Sequence, residues 1–266
     1  MSRLAVLLDR RRDGRAAHRV EAALARLPDL SSASPAEDGP RLWQAGGAGI
    51  RRSGPLTLAA DLALTDLDAL RTALDAGPRA DQAALVLAAC LRWGAQAPDR
   101  LNGAFAFVLW DDRTRSLTAV RDRFGIRPLV YAPTPEGVVI ASDLATVLAG
   151  LERAPDIEPA WVADFLAGTP SDMTSTAWSG VLRLPPGHRM TVAADGTATL
   201  HRWYRLQASA PPPDGDAGAA LREALSHATA QACAGRRMAT MLSGGLDSST
   251  LALMSVQDRA PTDPRP

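Results

Sequence analysis

The stretch from residue 101 to 143, LNGAFAFVLWDDRTRSLTAVRDRFGIRPLVYAPTPEGVVIASD, constrains the fold more than any other part of the chain. Residues 104–110 form an apolar run rich in aromatic and β-branched side chains, and the polar turn at 111–115 ends it. Residues 116–121 resume the pattern, so the two runs predict an antiparallel hairpin. Residues 130–132 and 138–141, joined across a Pro/Gly turn, predict a second hairpin. Short strands of this kind beside amphipathic helices indicate a layered α+β domain.

Helical spacing appears at 16–27, closed by Pro28, and again at 66–74, 81–93 and 158–166. Asp81 stands where a carboxylate caps a helix, and Gly94 where a helix stops. Before the first helix, residues 4–8 are an apolar run closed by Asp9. It is too short for a signal-peptide core or a membrane span and predicts a first, buried strand. Residues 31–40 read as a Ser/Pro/Asp-rich loop, and strand-like pieces follow at 41–44 and 55–60. A strand pair is predicted across Ala194, Asp195 and Gly196. The Pro/Asp/Gly run at 211–215 reads as a linker, followed by a helix at 217–233 and an apolar strand at 238–242.

Composition removes several function classes. The chain carries 29 Lys+Arg against 29 Asp+Glu, so no net field favours nucleic acid. The one basic run, Arg10, Arg11 and Arg12, reads as a solvated turn. Every one of the 29 basic residues other than histidine is arginine, which excludes any mechanism drawing a lysine from this segment. Cys90 and Cys233 have no metal-type spacing; two such thiols fit a reducing cytoplasm, both acting as small buried hydrophobes.

The strongest chemical signal is Ser243-Gly244-Gly245-Leu246-Asp247-Ser248-Ser249, placed between the expected strand and a helix-like run at 250–256. Two glycines let the backbone approach a ligand with no Cβ in the way. Hydroxyls and backbone N–H groups then converge at a helix N-terminus, where the macrodipole favours an anion. Such a loop suits phosphate or pyrophosphate. It lacks the Gly-Lys-Ser/Thr ending of a Walker loop.

The heptad SGGLDSS resembles the pyrophosphate loop of N-type ATP pyrophosphatases in their asparagine-synthetase branch. LNGAFAFVLWDD with RDRFGIRPLVY resembles that family's glutaminase-domain block, and RLPPGH (183–188) with HRWY (201–204) resembles its domain junction. Taken alone, RDRFGIRPL reads as structural, a buried Arg121–Asp122 turn with Gly125 and Pro128 fixing the backbone. The resemblance implies an Ntn-hydrolase-like α+β domain of the class II glutamine amidotransferase type over 1–205. The start of an α/β adenine-nucleotide α-hydrolase-like domain would follow over 206–266. It implies ATP and Mg²⁺ as cofactors, with Ser243, Gly244, Gly245, Leu246, Ser248 and Ser249 holding pyrophosphate and Asp247 helping to coordinate the metal.

The chain departs from the family at the glutaminase site. Working members begin Met-Cys-Gly-Ile and use the exposed Cys as nucleophile, its own α-amine serving as base. Here Ser2 occupies that position, and an N-terminal Ser nucleophile is the remaining way to keep the activity. The family's oxyanion-hole Asn-Gly-Glu falls at Asp61-Leu62-Ala63, and a carboxylate is a poor donor to an oxyanion. Asp81 matches the second glutamine-binding Asp. Asp61 and Asp81 are therefore expected to be vestigial, with no catalytic residue left in this half.

Relatives lacking the Cys include β-lactam synthetases and lasso-peptide macrolactam synthetases, whose substrates bring their own amine. The expected substrates are ATP and a carboxylate, in the favoured case on a precursor peptide. Rival readings are an asparagine synthetase acting through Ser2 and a non-catalytic docking module. The family's second metal-binding Asp, acyl pocket and catalytic Lys fall beyond Ser249 and are not found before Pro266. The chain is thus expected to be the front of a ligase or one part of a split protein, a separate chain supplying the rest.

Overall fold

The computed structural model describes residues 3–9, 14–35, 39–47, 49–208, 216–234 and 239–257. Ser2, the arginines at 10–12, the linker at 211–215 and Met238 lie outside them. The chain divides into two compact units, Met1–Arg205 and Leu206–Pro266.

In the first unit the order is β1 (Arg3–Asp9), α1 (Arg15–Leu24), β2 (Leu30–Ala33), β3 (Arg41–Ala45), β4 (Arg51–Ser53), β5 (Leu56–Leu64), α2 (Leu67–Leu74) and α3 (Gln82–Trp93). After a 3-10 turn at Gly94–Arg100 come β6 (Gly103–Asp111), β7 (Ser116–Arg121), β8 (Val130–Thr134), β9 (Gly137–Ala141), α4 (Leu144–Gly150) and α5 (Pro159–Ala167). β10 (Leu182–Arg183), β11 (His188–Val192) and β12 (Ala198–Arg202) complete it. The strands make two six-stranded antiparallel sheets, ordered β10-β8-β9-β1-β3-β2 and β12-β11-β7-β6-β5-β4.

Strand alternation sorts the side chains into three cores. Leu4, Val6, Leu8 and Leu42 from the first sheet meet Ala59, Ala106, Val108, Trp110 and Leu117 from the second. On the outer face of the first sheet, Ala5, Leu7 and Val139 pack against Val20 and Leu24 of α1 and Val147 of α4. Over the second sheet, Leu58, Ala60, Phe105 and Phe107 pack against Leu85, Val86 and Ala89 of α3. Both faces of β1, β5 and β6 are covered, which is why these strands read as almost continuous apolar runs. The result is a helix–sheet–sheet–helix stack, the Ntn-hydrolase architecture.

The cap expected at Asp81 forms: its carboxylate accepts the Ala84 N–H at 2.8 Å. Gly94 ends α3 at φ 54. Several expectations need correction. Within the supposed loop at 31–40, β2 pairs with β3 and carries Ser31, Ser32 and Ala33, because the neighbouring strand satisfies a backbone whose side chains gave no strand signal. α1 ends at Leu24, short of Leu27. Cys233 is half-buried rather than buried, whereas burial pushes the Cys90 thiol up to about 12.

The second unit contains α6 (Ala217–Cys233) and α7 (Leu246–Gln257). Asp216 caps α6, accepting from the N–H groups of Gly218 and Ala219. The strand expected at 238–242 is absent from its described residues, 239–242; Met241 and Leu242 are exposed. An extended segment becomes a strand only by pairing, and among the described residues this one has no neighbour to pair with.

Candidate functional site

Asp61 lies near the end of β5 and is 3 % exposed. Its Oδ1 is 3.5 Å from Nε of Arg127, whose side chain is itself largely buried. A carboxylate facing a guanidinium presents acceptors, not donors, to whatever enters beside it. Gln44 of β3 clasps the backbone at Ala60, one residue before Asp61, and holds this part of β5 in place.

Arg127 belongs to a loop built by Asp122. The Asp122 carboxylate accepts N–H bonds from Phe105, Phe124, Ile126 and Arg127 at 2.9–3.2 Å. Next to it, Arg121 donates to the carbonyls of Arg127, Leu184 and Gly125 at 2.6–2.8 Å. Burial lowers the Arg121 pKa, with Asp122 acting against that and Arg183 adding to it. Gly125 is needed here: at φ 66, an added Cβ would lie 2.9 Å from the Arg121 guanidinium carbon and from Pro186.

The same cluster gathers the other two sequence blocks. Gly187 N–H donates to the Asp122 carbonyl at 2.8 Å, and the N–H groups of Trp203 and Tyr204 donate to the Gly187 carbonyl. Arg123 lies over both the Trp203 and Tyr204 rings, 5.6 and 5.4 Å from their centroids. RDRFGIRPL, RLPPGH and HRWY are therefore one hydrogen-bonded unit, and the structural reading of 121–128 holds.

Asp81 is occupied by its own helix. Besides the Ala84 N–H, its carboxylate takes Arg51 Nη2 at 2.9 Å. Partial burial pulls its pKa upward, but the Ala84 bond and the Arg51 charge outweigh this and hold it below the ordinary value. Sequence reasoning missed Arg127, Arg51 and Gln44. Arg127 sat inside a motif already singled out, but nothing in the sequence paired it with Asp61.

In the second unit, residues 246–249 form the first turn of α7 rather than a loop ahead of it. Gly244 takes φ 83, and an added Cβ there would meet nothing within 4 Å. Ser243 Oγ and Ser248 Oγ lie 3.0 Å apart, and the Ser243 N–H donates to Ser248 Oγ. Residues 243–247 are exposed and Ser248 and Ser249 half-buried, with the leading N–H groups of α7 free of intrahelical acceptors. Asp247 stands in that first turn. Among the described residues no cluster of three or more His, Cys, Asp or Glu could hold a metal by itself. No helix among them is long and apolar enough to cross a membrane.

Residues 67–204 match the family model of the glutamine amidotransferase domain, and residues 220–263 that of asparagine synthase. Asparagine synthetase [glutamine-hydrolyzing] 3 of Bacillus subtilis is 27 % identical, covering 66 % of this chain and 29 % of that one. Carboxyethyl-arginine beta-lactam-synthase of Streptomyces clavuligerus is 36 % identical, covering 70 % and 34 %. A solved structure of the allosteric regulatory enzyme of purine biosynthesis superposes with TM-score 0.51 at 14 % identity, over 89 % of this chain and 59 % of that one. The chain spans about a quarter to a third of the length of the curated relatives it matches.

Proposed function

Since the chain belongs to the glutamine amidotransferase family, we propose that it forms the front of an asparagine-synthetase-like, ATP-dependent amide-forming ligase whose amidotransferase domain no longer hydrolyses glutamine. The observation that carries the second half is the Asp61–Arg127 pair. A glutaminase needs donors aimed at the developing oxyanion, and removing one such donor costs about 10²–10³ in rate. Asp61 offers a carboxylate, and Arg127 is turned onto it. Asp81 is likewise engaged by Arg51 and its own helix.

The anion-binding half rests on residues 243–249. Ser243, Gly244, Gly245, Leu246, Ser248 and Ser249 would cradle pyrophosphate with amides and hydroxyls. Asp247 would share Mg²⁺ with the nucleotide, since one carboxylate plus phosphate oxygens is a common way to hold that ion. ATP would supply the activation of a carboxylate as its adenylate. A ligase without glutaminase needs a substrate that brings its own amine, so we favour a peptide-cyclising reaction of the lasso-peptide kind. The remainder of the synthetase domain, in this or a separate chain, is part of the same proposal, as is a cytoplasmic setting.

Glutamate release from glutamine by the purified chain is the test. None is expected above background. Release that disappears in Ser2→Ala would overturn the reading in favour of an asparagine synthetase using an N-terminal serine.

A further inference from the structure

α5 is an apolar helix, PAWVADFLA, and none of its residues is buried. Trp161 and Phe165 stack on each other at 5.2 Å and 10°, with Phe165 69 % exposed. They line a cleft of about 380 Å³ with Pro170, Asp164, Asp172 and Arg183. Trp161 is half-buried, but Phe165 and Leu166 are left largely to water, which is unfavourable, so this face calls for an occupant.

The charges around the rings say which. Asp164 accepts the Ser171 N–H at 2.9 Å, and Asp172 accepts from the hydroxyls and amides of Thr174 and Ser175. These donors hold both carboxyls below their ordinary range, and Asp164 also feels the negative charge of Asp172. Among the described residues neither carboxylate has an ion-pair partner. Arg183 lines the same cleft, but its Nη1 donates to the Ser175 carbonyl and it makes no ion pair with either carboxylate, so the lining carries one more carboxylate than guanidinium. A stacked aromatic pair beside two carboxylates without ion pairs, in a lining of net negative charge, matches a guanidinium, which stacks on a ring and donates to a carboxylate together.

We infer that the α5 cleft docks an arginine-bearing peptide segment, with the guanidinium between the Trp161–Phe165 pair and Asp164. That the peptide is the ligase's substrate rests on the proposed function above; the docking itself does not. The occupant would be gripped away from the reacting carboxylate, so remote contacts would orient it.

An acetylated, amidated tetrapeptide with one arginine among apolar residues is titrated into the full chain by calorimetry. Its analogue carrying citrulline, of the same shape without the charge, is the control. The arginine peptide is expected to bind at least about tenfold tighter than the citrulline peptide, and Trp161→Ala and Asp164→Asn to lose that margin. Both sites are on a helix with no buried residue, so circular dichroism should stay unchanged. Equal affinity for the two peptides, indifference to both substitutions, or no binding would overturn the inference. So would self-association abolished by Phe165→Ser, which would make the occupant a second copy. Glutamate release abolished by Ser2→Ala would sink the reading of a ligase without glutaminase and leave peptide docking standing; lost docking alone would leave that reading intact.

Discussion

The side-chain amide of Gln44 clasps the backbone of Ala60 in both directions. Its Nε2 donates to the Ala60 carbonyl at 2.9 Å, and the Ala60 N–H donates to its Oε1 at 3.0 Å. Gln44 stands on β3 and Ala60 on β5, so one buried side chain stitches the two sheets together. It takes the place of a strand neighbour on that stretch of β5 and leaves no polar group of the pair unsatisfied.

Gln44→Leu should therefore cost more than a lost contact, since two backbone groups would be left buried without partners. About 2–4 kcal/mol is expected, read as a lower urea midpoint at unchanged slope. A loss under about 0.5 kcal/mol would mean water replaces the amide.

Asp122→Ala removes the acceptor for four N–H groups at once and frees the loop that presents Arg127. A destabilisation of roughly 3–5 kcal/mol is expected. Arg121→Lys should also destabilise, because an ammonium cannot reach the three carbonyls that the guanidinium fork spans. Thermal unfolding of both variants measures this.

Restoring the nucleophile should not restore glutaminase activity. Ser2→Cys is expected to release no glutamate from glutamine, because Asp61 still offers an acceptor where a donor is required. Turnover by Ser2→Cys alone would show that the oxyanion is stabilised by groups other than residue 61.

Asp81 should make stability fall in acid. Its folded pKa lies below the ordinary 3.8, so its contribution is complete above that value and is lost as pH drops through the lower folded one. With a side chain 41 % exposed, the screened effect is at most about 1 kcal/mol. Asp81→Ser keeps a cap and removes the titration, so its unfolding midpoint should change less between pH 5 and pH 2 than that of the parent.

Gly244→Val should weaken binding of Mg²⁺-ATP or pyrophosphate, because a β-branched residue resists φ 83. The cost of about 1–3 kcal/mol predicts at least a fivefold loss by calorimetry. Space is not the issue, since nothing lies within 4 Å of the added Cβ. Unchanged affinity would remove this loop from the nucleotide site.

Periodicity was enough to read the hairpins β6–β7 and β8–β9, helix α3 with its cap at Asp81, helix α6, and the layered α+β class. Each of these is set by neighbours in sequence: alternation, a capping carboxylate, a glycine at a helix end. The resemblance likewise pointed to the two domain types before any contact was known. β2 and the strand expected at 238–242, absent from the described residues 239–242, escaped for opposite versions of one reason. Pairing, not propensity, makes a strand: β3 supplied a partner to a polar tetrapeptide, and nothing described supplied one to an apolar one.

What the sequence by itself determined was the set of chemical groups: no lysine, Ser2 in place of a cysteine, a carboxylate at 61, and a Ser/Gly loop before a helix. Only the tertiary structure decided what those groups face. Asp61 meets Arg127, Asp81 meets Arg51, and three distant sequence blocks close into one knot around Asp122. A side chain's chemistry is local, but its partner is chosen by how sheets and loops pack. On the proposed reading, that choice makes Asp61 and Arg127 a structural ion pair rather than part of a hydrolytic site.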